Sequence, residues 1–107
     1  MAVNGVKVSV YINEGDQWHH KPLYLEILRM LHKEGCAGGT VLRAVAGFTG
    51  RTGVQTTSLV DAGGKLPLAI QFIDQPEHVQ RVMPLLKEMV GRRLIVTEPV
   101  QIEWPTS

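Results

Sequence analysis

An α+β sandwich, in which two helices cover one face of an antiparallel sheet, is predicted by three features of this sequence. Four apolar runs have the period of two expected of strands, two longer runs have a helical period, and their order is β-α-β-β-α-β. Two halves that cross over with the same hand place both helices on one side, which is the ferredoxin-like arrangement. The 107 residues fit one domain, residues 1–107.

In the first strand, residues 6–12, Val6, Val8, Val10 and Ile12 point one way and Lys7, Ser9 and Tyr11 the other. A polar loop, NEGDQWHHK, leads to Pro22, well placed at a helix start where its missing N–H costs nothing. Leu23, Ile27, Met30 and Leu31 then form one helical stripe with Leu28 beside it, Glu26 and Arg29 lie on the solvated side, and Gly35 is the expected C-cap. Residues 40–46 are predicted as the second strand and residues 66–73 as the third, with Leu66, Leu68, Ile70 and Phe72 on one face. Asp74 is expected to cap the second helix, with Glu77 reciprocating and Pro76 in the first turn. Val79, Val82, Met83, Leu86, Met89 and Val90 form its apolar stripe; Pro84 lies within it and predicts a kink rather than a break. Gly91 ends that helix. The last strand, residues 94–102, contains Pro99 and should be short, bulged or at a sheet edge.

Composition excludes several function classes. An apolar fraction of 44% and a charged fraction of 20% are ordinary for a soluble globular chain. No run approaches the ~18–20 apolar residues of a membrane span, and the start lacks a signal-peptide pattern, so no membrane insertion is expected. Cys36 is the only cysteine, which precludes an intrachain disulfide and suits a reducing cytoplasm. A net charge of +1 gives no global attraction to nucleic acid, so no nucleic-acid partner is expected. So small a chain buries a modest fraction of its surface, which favours oligomerisation.

The connection between the second and third strands is far longer than the ~2–5 residues a hairpin needs. It opens GFTGRTGVQTT, with Gly47, Gly50 and Gly53 around Arg51 and with Phe48 its only aromatic residue. Just upstream, GCAGGTVLRAVAGFTGRTG runs from a helix end through a small-residue turn into a strand and then the loop. This run resembles the PII signal-transduction proteins, in which a similar run leads to the base of a large T-loop. Over nearly its full length the chain is similar to a PII-like family, domain of unknown function 190. The similarity rests on Lys7-Val8-x-Val10-Tyr11-Ile12, Lys21-Pro22-Leu23-Tyr24, Gly38-x-Thr40-Val41-Leu42-Arg43, Gly47-Phe48, Leu66-Pro67 and Pro84-Leu85-x-Lys87. The resemblance implies a homotrimer whose subunit clefts bind a nucleotide or another small anionic effector. It also implies a loop, residues 47–63, that changes conformation and signals to a regulated partner protein such as a transporter or enzyme. Only Gly91-Arg92-Arg93 stands where PII proteins carry a glycine-rich basic turn, and no tyrosine lies between Gly47 and Thr57.

Candidate residues follow from chemistry and from this resemblance together. Arg51, with Gly47, Gly50 and Gly53 nearby, could hold a phosphate through backbone N–H groups and a guanidinium fork; a solvated loop arginine is the plain alternative. Gly38 and Thr40 allow close backbone approach to a ligand, or form a simple helix-to-strand turn. Phe48 joins the effector set through the Gly47-Phe48 motif. Arg92 and Arg93 offset a helix dipole, and by analogy grip phosphate. Thr49, Gly50, Arg51, Thr52 and Gly53 form the segment expected to touch a partner. No metal site is expected: His19 and His20 are adjacent, and His32 and His78 have no histidine at i+4. Trp18 and Tyr24 are expected to pack over the start of the first helix or at a subunit contact. Cys36 would need a nearby base to react, and no nucleophile elbow, P-loop or carboxylate pair is present, so no enzymatic activity and no resident cofactor are expected. An effector-independent docking module and an enzyme acting in the subunit cleft are the alternative classes.

Overall fold

The computed structural model describes residues 1–57 and 65–104. β1 (Ala2–Asn13) is followed by a small ribbon of β2 (Gln17–Trp18) and β3 (Lys21–Pro22), and then by α1 (Leu23–Lys33). β4 (Thr40–Arg43) leads to a second ribbon, β5 (Ala46–Gly47) and β6 (Gln55–Thr56). β7 (Pro67–Asp74), α2 (Pro76–Val90) and β8 (Leu94–Glu103) complete the order. The main sheet is antiparallel throughout, in the order β4-β7-β1-β8.

The period-two pattern of β1 works as expected: Val8, Val10 and Ile12 are fully buried. Leu68, Ile70 and Phe72 of β7 join them, and both helices pack on this same face through Leu23, Ile27 and Leu31 of α1 and Val79, Val82, Leu86 and Val90 of α2. Each such side chain contributes about 1.5–3 kcal/mol when removed from water. Trp18 and Tyr24 pack against the edge of this core, beside the start of α1.

Gly35 ends α1 with φ +77°, where a side chain would be strained. Its N–H donates to the His32 carbonyl (3.1 Å) and the Cys36 N–H to the Leu31 carbonyl (3.0 Å), the paired bonds of a Schellman motif. α2 runs unbroken through Pro84, because its apolar stripe continues to Val90. β8 lies at the sheet edge, as Pro99 requires, yet it is a full ten residues long and pairs with β1 from end to end.

Two expectations are corrected. The second strand leaves the sheet at Arg43: Ala46 pairs with Thr56 in the loop ribbon, and Val45 between them is exposed. Asp74 does not cap α2. The N-cap is Gln75, and the Asp74 carboxylate turns back to the α1–β4 turn, accepting the Ala37 N–H (3.0 Å).

Candidate functional site

The loop emerges as a short hairpin rather than as free chain. Gly47 pairs with Gln55, and the turn 49–52 is closed by the Thr52 N–H donating to the Thr49 carbonyl (3.1 Å). The Thr52 hydroxyl reinforces it, donating to the Thr49 carbonyl (2.7 Å) and accepting from the Thr49 N–H (3.0 Å). Gly50 supplies the positive φ (+56°) at the second position, where hairpin turns of the primed type need it. Val45, Phe48 and Val54 project from this ribbon into solvent. Part of the predicted partner loop, residues 58–63, lies outside the described residues.

Glu14, at the end of β1, ties both ends of the loop together. One carboxylate oxygen accepts the Leu66 N–H (2.8 Å), and the other accepts Nε (3.0 Å) and a terminal nitrogen (2.7 Å) of Arg43. The Leu66 N–H, aided by the Arg43 guanidinium, outweighs burial and lowers the Glu14 pKa below the usual carboxylate range. Arg43 belongs to the strand entering the loop and Leu66 to the segment leaving it, so one side chain fixes the stem.

Beside this stem lies the turn from α2 to β8. Gly91, with φ +64°, donates to the Lys87 carbonyl (2.9 Å) and turns the chain toward Arg92 and Arg93. Arg93 Nε donates to Asp16 Oδ2 (2.8 Å), and a second guanidinium nitrogen caps the Val90 carbonyl (3.0 Å). Asp16 is itself fixed by the Asn13 N–H (2.9 Å). Both arginines are exposed, but Arg93 is an anchored cation.

The loop stem and this turn enclose an open cavity of about 1120 Å³, lined by Phe48, Thr49, Gly50 and Thr52 of the loop, by Arg92 and Arg93 of the turn, and by Tyr11 and its cross-strand partner Leu94. It combines apolar and aromatic walls with two guanidinium groups. The structure thus brings together Phe48, Thr49, Gly50, Thr52, Arg92 and Arg93. Gly38 and Thr40 lie elsewhere, with Lys7, Gln71, Ile73 and Ile102 around a second cavity of about 380 Å³ on the open face of the sheet. Gly47, Arg51 and Gly53 line neither.

Sequence reasoning missed Glu14 and Asp16, whose partners are 29 to 77 residues away and leave no local pattern. It also missed a third cluster, at the other end of β7: Cys36, Asp74 and His78 place a sulfur, a carboxylate oxygen and a ring nitrogen within 4.8 Å of one another. The Asp74–x–x–x–His78 spacing was the available signal. Burial, with Asp74 and Glu34 nearby, pushes the Cys36 thiol pKa up, which is the opposite of what activates a cysteine nucleophile.

A four-stranded antiparallel sheet, two helices on one face and a stemmed loop between the two middle elements define a ferredoxin-like fold, the fold also found in PII-like proteins. The chain belongs to the DUF190 family (Uncharacterized ACR, COG1993), whose profile matches residues 5–102. The UPF0166 protein MJ1524 of Methanocaldococcus jannaschii is 30% identical over 93 residues, 85% of each chain. Among solved structures, CPII, a nitrogen regulatory PII-like protein from Thiomonas intermedia K12 bound to ADP, AMP and bicarbonate, superposes with a TM-score of 0.65 at 16% identity, covering 99% of this chain and 100% of that one. GlnK of B. subtilis in complex with ATP gives 0.58 at 13% identity, over 91% and 82%. No helix among the described residues is long and apolar enough to cross a membrane.

Proposed function

We propose that this protein is a non-enzymatic, PII-like regulator: a homotrimer that binds a small anionic effector in its subunit clefts and signals to a partner protein through residues 47–63. The observation that carries this reading is the shared cavity, where the loop stem and the Arg92–Arg93 turn meet. A ligand seated there touches the loop directly, so its binding energy can bias the loop between conformations. The Arg92 guanidinium, beside an Arg93 already paired with Asp16, favours negative charge, and the Phe48 and Tyr11 rings offer stacking surfaces for a planar group. The structural neighbours crystallised with ADP, AMP or ATP make an adenine nucleotide the first effector to try.

The uncovered face of the sheet, where Tyr11, Leu42, Ile73, Leu94 and Val96 are exposed, supports assembly. In the proposed trimer three copies pack these faces together, and the cavity of one chain would meet the Gly38–Thr40 cavity of the next. That contact unites the two halves of the effector set, which one chain keeps apart. A thermal-shift screen of adenine nucleotides tests the reading. A ligand at 100 times its dissociation constant stabilises the fold by about 2.7 kcal/mol. No shift with any nucleotide, in a particle that is still trimeric, would leave a constitutive docking module; turnover of a bound ligand would make it an enzyme.

A further inference from the structure

The cluster of Cys36, Asp74 and His78 lies at the opposite end of β7 from the loop, and the function proposed above does not use it. Three separate elements converge there: the Schellman turn after α1, the end of β7 and the first turn of α2. His78 Nδ1 is 2.8 Å from Asp74 Oδ2, and Nε2 is 2.8 Å from the Glu34 carbonyl oxygen. Both neighbours are acceptors, and a neutral imidazole has a single N–H to donate. With that N–H on Nε2, directed at Glu34, the Nδ1 lone pair faces a carboxylate oxygen. The contact is tenable only with a positive centre between the two atoms, either a proton or a metal ion.

The surroundings favour the metal. A metal-ligating histidine ordinarily donates its other ring N–H to a backbone carbonyl or carboxylate, which is the role Glu34 plays here. A ligating carboxylate is ordinarily held by further hydrogen bonds, and Asp74 accepts the Ala37 N–H (3.0 Å) on one oxygen and the Gln75 N–H (2.8 Å) on the other. Cys36 adds a third donor of the softness that divalent zinc prefers. We propose that Cys36 Sγ, Asp74 Oδ2 and His78 Nδ1 bind one divalent ion of the zinc class, with a fourth position left to water.

Oxygen and nitrogen ligands of a tetrahedral zinc stand about 3.3 Å apart, so the Asp74–His78 contact opens by about half an ångström. A thiolate and an unprotonated ring nitrogen are the ligating forms, so metal binding releases protons and apparent affinity rises with pH. The ion would join α1, β7 and α2 at one point, beside the Gly38–Thr40 turn.

Cobalt titration of chelator-stripped, fully reduced protein tests the site. The expected result is a near-ultraviolet thiolate-to-cobalt band that saturates at one ion per chain and is displaced by zinc. Cys36→Ser abolishes the band. His78→Gln, which can still bond the Glu34 carbonyl, weakens cobalt binding by more than about a hundredfold, beyond what outer-shell partners cost. A His19→Ala/His20→Ala chain leaves the band unchanged. Circular dichroism establishes that each variant is folded, and zinc raises the melting temperature of the wild type but not of Cys36→Ser. A wild-type chain with no saturable band, a band that survives Cys36→Ser, or an NMR signature of His78 protonated on both nitrogens in excess zinc would overturn the proposal.

Discussion

The two faces of the main sheet are made by the same strands and meet different fates. On the covered face, Val8, Val10, Ile12 and Ile70 are fully buried beneath two helices. On the other face Leu94 is 61% exposed, Leu42 51%, and Tyr11 and Ile73 each 40%. An antiparallel sheet with one solvated face normally alternates apolar and polar residues cleanly; one that is apolar on both faces reads as buried on both. Among the described residues the Lys7–Glu98 pair, 4.0 Å apart, gives the middle of the open face its charge, and Ser9 opposite Gln71 adds polar groups. The contrast teaches that the helix layer completes the fold but leaves apolar side chains uncovered on the other face, which the proposed trimer would cover.

The comparison can be broken first at the covered face. Ile70→Ala leaves a void beneath both helices and should cost about 2–5 kcal/mol, read as a lower denaturation midpoint. A loss below about 1 kcal/mol would mean the site collapses or is not core. The matching change on the open face, Leu94→Glu, should leave the isolated chain folded, within about 0.5 kcal/mol, while dissociating the assembly. If it unfolds the chain instead, the two faces are not independent.

Next in size is Glu14→Gln, which removes the anion binding both ends of the loop stem and should cost about 1–2 kcal/mol. The pH dependence has a definite sign. The folded Glu14 pKa lies below its unfolded value of about 4.3, so its stabilisation is complete above that value. It is lost as the pH falls through the folded pKa, and Glu14→Gln should flatten this part of the acid limb. An unchanged acid limb in the variant would assign it to other carboxylates. Smallest on the fold is Arg51→Ala, below about 0.5 kcal/mol, because the side chain is exposed and lines neither cavity. A tenfold loss of effector affinity from this variant would mean the loop folds Arg51 over the ligand. Unchanged affinity would leave the anion to Arg92 and Arg93.

Much of the fold was legible because local periodicity and burial agree: Val8-x-Val10-x-Ile12 and the Leu23–Ile27–Leu31 stripe were both core in the pattern and in space. The early end of β4 was not, since Val45 continues the apolar run while pointing into solvent. Asp74 looked like a helix cap because its partner at Ala37 is 37 residues away and belongs to tertiary structure. The candidate site divided the same way. Phe48, Arg92 and Arg93 could be named from motifs, but the anchoring of Arg93 by Asp16, and the gap between Gly38–Thr40 and the loop stem, exist only once the sheet is assembled.

The particle mass in solution, measured by light scattering at micromolar concentration, tests the central claim most directly. The account predicts three chains per particle for the wild type and one for Leu94→Glu. A monomeric wild type would contradict it, leaving the apolar face uncovered and the two cavities without a shared ligand.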